Sequence, residues 1–119
     1  MAQPVVHFEI AGKNGEKSRE FYGKLFGWNF EVMKEVDYGL VAPAVPGTSI
    51  GGGVGATPPG APPYLTFYVQ VDDLAAYLKK AEAMGASTLV PPTPIPNVGA
   101  FAMLSDPDGL TVGLFRPNM

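Results

Sequence analysis

YLTFYVQVDDLAAYLKKAEAMGA, residues 64–86, decides the fold. Its first eight residues alternate: Leu65, Phe67, Val69 and Val71 on one face, Tyr64, Thr66, Tyr68 and Gln70 on the other, the period of a strand with one covered face. The period then changes to that of a helix. Asp72 or Asp73 is the N-cap, Leu74, Tyr77, Leu78 and Ala81 form the stripe, and Gly85 closes it. Working backwards, the same grammar occurs once before. Residues 4–10 alternate, with Val6, Phe8 and Ile10 on one face and Val5, His7 and Glu9 on the other. Asn14 is a plausible N-cap, Phe21, Tyr22, Leu25 and Phe26 form a stripe, and Gly27 is the C-cap. Gly27 answers Gly85 at an offset of about 58 residues.

Each strand–helix unit is followed by three more strand signals. In the first copy these are WNFEVM, YGLVA and the glycine-rich SIGGGVG; in the second, STLVPP, VGAFAMLS and LTVGLF. The last two are joined by Asp106-Pro107-Asp108-Gly109, a turn sequence that accounts for both aspartates without chemistry. ATPPGAPP, residues 56–63, is a linker. The expected organisation is therefore one domain over 1–119, with a module at 4–55, the linker, and a module at 64–116. The expected fold class is α+β: two βαβββ modules forming a cup-shaped mixed sheet with helices outside, near 15–26 and 73–84. Face parity pairs His7 with Thr66, so His7, Glu9, Thr66, Tyr68 and Gln70 share the face lining the cup.

Composition narrows the function. The chain has 119 residues, 46% hydrophobic, enough for a core, and a net charge of −3, which argues against nucleic acid or an anionic membrane as partner. It has no cysteine, so disulfides, thiolate nucleophiles and Cys-ligated zinc are excluded. No apolar run reaches the length needed to span a bilayer, and the N-terminus lacks a signal-peptide pattern, so the expected location is cytoplasmic. SIGGGVG opens no helix and is not a phosphate loop; its glycines permit a bend or a close approach of backbone. Tyr22 and Trp28 read as core.

His7 in its strand, REFYGKLFGW at 19–28, VDDLAAYLKKAEAMGA at 71–86 and FAMLSDPDGLTVGLF at 101–115 together resemble the vicinal oxygen chelate superfamily, which includes glyoxalase I, bleomycin-resistance proteins and extradiol dioxygenases. The resemblance covers nearly the whole chain and implies the same two-module cup. It also implies where metal ligands would stand: on the first and last strands of each module. His7 matches one such position. Thr66, at the second, is a poor ligand, and Gly113 stands where the Glu after DPDG is expected. No Asp, Glu or His lies between Ala42 and Val71.

One imidazole, even with Glu9 two residues away, falls short of the three or four donors a transition metal takes. The expectation is no bound metal and no cofactor. Two readings remain: a protein binding a small apolar or aromatic molecule, and an enzyme (lyase, isomerase or dioxygenase-like), with or without a weak metal site at His7 and Glu9. Fold does not choose between them. The expected ligand-binding residues are His7, Glu9, Thr66, Tyr68, Gln70 and Gly113. The missing side chain at Gly113 leaves room for a ligand or for Phe101 or Met103. A homodimer is expected, with exposed sheet edges and the mouth of the cup as its motive, and with modules exchanged through 56–63 as one form of it.

Overall fold

A computed structural model describes residues 2–118. The chain divides into two compact units. One is His7–Leu65; the other joins the residues up to Val6 with those from Thr66 onward. The fold class is α+β, with the βαβββ order appearing twice.

In the His7–Leu65 unit, strand β1 (Val5–Gly12) leads to helix α1 (Gly15–Phe26), followed by β2 (Glu31–Met33), a 3-10 turn, β3 (Tyr38–Val41) and β4 (Gly51–Ala56). The strand order is β2-β3-β4-β1. β1 runs parallel to β4 with His7 opposite Gly51 and Glu9 opposite Gly53, and β3 runs antiparallel to β4 with Leu40 opposite Gly53 and Tyr38 opposite Gly55. Asn14 caps α1 by accepting from Lys17 N at 3.1 Å, and Gly27 closes it in the left-handed region at φ 74°. Both caps are those the sequence predicts.

Two of the β4 glycines are explained by rings, one on each face of the strand. A Cβ on Gly52 would collide with the Phe8 ring, and one on Gly53 with the Tyr38 ring. Close approach of neighbouring rings, rather than a bend, is what these positions require. Phe8 in turn packs on Trp28, ring centroids 5.3 Å apart, on the helix side of the sheet.

The other unit contains β5 (Tyr64–Gln70, from Thr66 on), α2 (Leu74–Ala83), β6 (Ser87–Ile95), β7 (Gly99–Ser105) and β8 (Thr111–Pro117), in the order β5-β8-β7-β6. Asp73 is the N-cap of α2, accepting from Ala76 N at 3.0 Å. Val71, Leu74, Leu78, Ala100, Ala102 and Leu114 form the buried core, with Val69, Tyr77 and Leu104 against it. The face of β5 expected to meet the helix does so at Val69, whereas Leu65 and Phe67 remain 70% and 44% exposed. Asp106 organises the hairpin turn: its carboxylate accepts from Asp108 N at 2.8 Å and Leu110 N at 2.9 Å. β6 extends three residues past the expected STLVPP, through Thr93, Pro94 and Ile95, and its pairing with β7 shifts register twice.

Candidate ligand-binding site

His7 and Glu9 are brought together by Tyr38, a residue that sequence reasoning does not single out. Tyr38 O–H donates to Glu9 Oε1 at 2.9 Å, and Tyr64 O–H donates to Glu9 Oε2 at 2.6 Å. His7 Nε2 lies 2.9 Å from Tyr38 Oη. Because the Tyr38 proton goes to Glu9, its oxygen accepts from His7 Nε2–H, which makes Nδ1 the acceptor nitrogen of the ring. The carboxylate of Glu9, only 7% exposed, thus has a donor on each oxygen, the condition under which burial of a charge is tolerated.

This arrangement follows from strand parity. His7 and Glu9 of β1, Gly51, Gly53 and Gly55 of β4, and Tyr38 and Leu40 of β3 project to one face. The glycines leave bare backbone in the middle of that face, and the Tyr38 ring lies across it toward β1. The signal was present in the sequence: glycine at every second position of a strand, with an aromatic two strands away from an isolated carboxylate.

Burial holds the His7 pKa below its ordinary value, against a smaller upward pull from the Glu9 charge. Tyr64 is held well above its ordinary value, first by burial, then by its hydrogen bond to Glu9 and the carboxylate charge. Tyr64 therefore stays a phenol donor, and His7 stays a neutral imidazole at neutral pH.

Beside His7 the same unit holds an open cleft of about 510 Å³. His7, Phe30, Glu31, Leu40, Ala42, Gly51 and Gly52 are among the residues that line it. The mix of an apolar lining, one imidazole and one carboxylate suits a small apolar molecule with a polar group. A second cleft of about 540 Å³ is bounded by Thr57–Pro63 and Lys13, and includes none of the strand-face residues.

Thr66, Tyr68 and Gly113 are brought together in the other unit. Tyr68 pairs with Gly113 across β5 and β8, and its ring occupies the space a Gly113 side chain would need. The filler is thus the neighbouring strand's own tyrosine rather than Phe101 or Met103. Met103 lies near the Tyr68 hydroxyl, with Sδ at 3.8 Å, and Phe101 meets the Tyr68 ring edge-on at 6.4 Å. Thr66 Oγ1 donates to Thr111 O at 2.6 Å. Gln70 is held through its backbone, its N–H donating to Pro4 O at 2.9 Å.

These donors do not fit a transition metal. Among the described residues no three His, Asp or Glu side chains converge. His7 Nε2 and both Glu9 oxygens are engaged by tyrosines, and a phenol fills the place of the missing acid at Gly113.

The paired βαβββ modules define a class, and comparison with known proteins gives it a family: residues 5–114 match the model of the Glyoxalase/Bleomycin resistance protein/Dioxygenase superfamily, to which this chain belongs. Among its relatives is the putative glyoxylase CFP32 of Mycobacterium bovis, 35% identical over 91 residues, 76% of this chain and 31% of that protein. The anthracycline biosynthesis protein DnrV of Streptomyces peucetius is 28% identical over 128 residues, 94% of this chain and 46% of that one. The chain thus spans less than half the length of either relative. Among solved structures, methylmalonyl-CoA epimerase from Mycobacterium tuberculosis superposes with a TM-score of 0.63 at 16% identity, covering 97% of this chain and 88% of that one, a likeness of fold.

Proposed function

We propose that this protein binds a small, largely apolar or aromatic molecule in the cleft beside His7, without a tightly held metal, as a single-domain cytoplasmic homodimer. The observation that carries this reading is the cleft itself: an open, largely apolar concavity with one neutral imidazole in its lining. His7 is the polar contact. Glu9, behind Tyr38, fixes the imidazole's tautomer and orientation. Thr66, Tyr68, Gln70 and Gly113 are proposed to contribute the corresponding face of the second module, on the strength of their shared strand parity. The superfamily's breadth of small-molecule chemistry is consistent with such a site.

The enzyme reading is favoured by one observation. The hydrogen bonds from His7 through Tyr38 to Glu9 are continuous and can shift a proton toward or away from the imidazole. A lyase or isomerase acting by proton transfer would use them.

Both readings are tested by a thermal-shift screen of aromatic acids, phenols and quinones, with mass spectrometry of each hit after incubation. A compound that binds the native state raises the melting temperature. The shift is expected to disappear in Ala42→Trp, which fills the cleft from an exposed wall position. A hit recovered unchanged supports binding, and a hit converted to product supports catalysis. Hits that stabilise Ala42→Trp as strongly as the parent protein would remove the cleft from the account.

A further inference from the structure

Tyr38 is the first residue of the four-residue β3, and β3 has only the three-residue β2 on the side away from β4. Strand ends of this kind are where backbone hydrogen bonds open most readily. The Tyr38 hydroxyl nevertheless keeps hydrogen-bond distance to both His7 and Glu9. The residue before it is equally demanding. Asp37 holds φ 48° and ψ 54°, the left-handed region that glycine enters freely and aspartate only at a cost. Its backbone bonds are long: its N–H donates to Lys34 O at 3.3 Å, and its carbonyl accepts from Ala56 N at 3.3 Å. The firmer support comes from α1. Arg19 has only 11% of its side chain exposed; Nη2 donates to Asp37 Oδ1 at 2.8 Å and Nη1 to Val54 O, on the backbone of β4, at 3.2 Å. One planar fork thus ties the residue before Tyr38 to the strand that the Tyr38 ring crosses. Glycines clear its path: a Cβ on Gly39 would strike Arg19 Cδ, and one on Gly15 the Asp37 carboxylate. Gly39 lies on the helix side because its neighbours Tyr38 and Leu40 project to the other face.

We propose that Arg19 is a positioning residue for the His7 site: from the opposite face of the sheet it fixes Asp37, and so aims the Tyr38 hydroxyl at His7 and Glu9. Its bearing on a ligand rests on reading the cleft beside His7 as the binding site. The clamp acts through backbone. Asp37 is bonded directly to Tyr38, so the direction in which Asp37 leaves its left-handed turn sets where the Tyr38 ring begins its path across β4. Val54, the other anchor, follows Gly53, the residue that ring covers. The two ends of the clamp are therefore the chain neighbours of the two residues whose contact places the hydroxyl. An ion pair that only adds stability predicts a lower melting temperature without Arg19 and an unchanged environment at His7. Positioning predicts that the environment at His7 changes even where stability does not.

The test reads the single His7 imidazole signal of ligand-free, histidine-labelled protein, with the displacement caused by Tyr38→Phe as the reference. Arg19→Met keeps an unbranched stem over Gly39 and drops the fork. Combined with Asp37→Gly it removes both charges and relieves the left-handed residue, so neither an unpaired guanidinium nor a strained backbone is left behind. The double variant is expected to keep the parent's circular dichroism spectrum while its His7 signal moves at least half as far as in Tyr38→Phe. Should the double variant not fold, Arg19→Met supplies the same reading. Asp37→Asn keeps an acceptor for Nη2 and suits the left-handed backbone, so its signal should stay near the parent position. Compounds found by thermal shift should bind the double variant about threefold to tenfold more weakly. A His7 signal that stays at the parent position in Arg19→Met and in the double variant would overturn the proposal. A screen without hits would remove the binding reading alone, because the signal is read without ligand.

Discussion

At the residue scale, Tyr38 is the pivot between the histidine and the carboxylate. Tyr38→Phe keeps the ring over Gly53 but removes the donor to Glu9 Oε1 and the acceptor for His7 Nε2. Removing one donor from a largely buried carboxylate should cost about 1–3 kcal/mol in urea denaturation. An unchanged midpoint would mean that water replaces the hydroxyl without loss. His7 also gives a pH dependence of known sign. Its folded-state pKa lies below the ordinary 6.5 of the unfolded chain, so below about pH 6.5 the unfolded state binds more protons. The contribution of His7 to stability is thus fully present above that pH and declines as pH falls toward the lowered value. The melting temperature should fall on going from pH 7 to pH 5, and His7→Gln should show a smaller fall. An equal fall in both proteins would place the effect on other groups. His7 and Glu9 were legible in the sequence as same-face neighbours because strand parity is strict. Tyr38 was not, because its role depends on a ring crossing β4, and a run of glycines tells that something comes close without telling what.

At the element scale, β4 is built to be crossed. Gly53→Ala places a methyl group within the Tyr38 ring and Gly52→Ala one within the Phe8 ring, so either should destabilise by about 1–3 kcal/mol. The two differ in their consequences. Gly53→Ala must displace Tyr38 and with it the hydrogen bonds to His7 and Glu9, whereas Gly52→Ala disturbs the helix side. Melting curves of both variants, with the His7 imidazole resonance as a local probe, distinguish them: the resonance should move strongly only in Gly53→Ala. Equal movement in both would mean that the two faces of β4 are coupled. Helices were the most legible elements: Asn14 and Gly27 mark the ends of α1, and of the two candidates Asp72 and Asp73 the structure takes Asp73 for the start of α2. What the stripe of α1 could not state is its direction. Phe21, Tyr22, Leu25 and Phe26 have the spacing of a buried face, yet only Tyr22 and Phe26 stack on Trp28, beside the inward Arg19, while Phe21 and Leu25 stay exposed. Sequence alone ends β6 at Pro92, three residues early, whereas an edge strand tolerates the further Pro94 where its missing N–H needs no partner.

At the scale of the whole molecule, two similar modules have been put to different use. In one, a strand face with an acid, a histidine and glycines keeps a cleft beside it; in the other, Tyr68 closes over Gly113. The repeat itself was legible because its periods and glycine stops recur at a fixed offset. The difference between copies was not, since whether a glycine leaves a hole depends on the ring from the next strand. The central claim is that a small molecule occupies the cleft beside His7. The chain has a single histidine, so histidine-labelled protein gives one imidazole signal with no ambiguity of assignment. The decisive measurement is an NMR titration of that signal with the compounds found by thermal shift. The His7 resonances should move in step with saturation, and both the movement and the thermal shift should vanish in Ala42→Trp. Compounds that stabilise the protein while leaving the His7 signal in place would contradict the account.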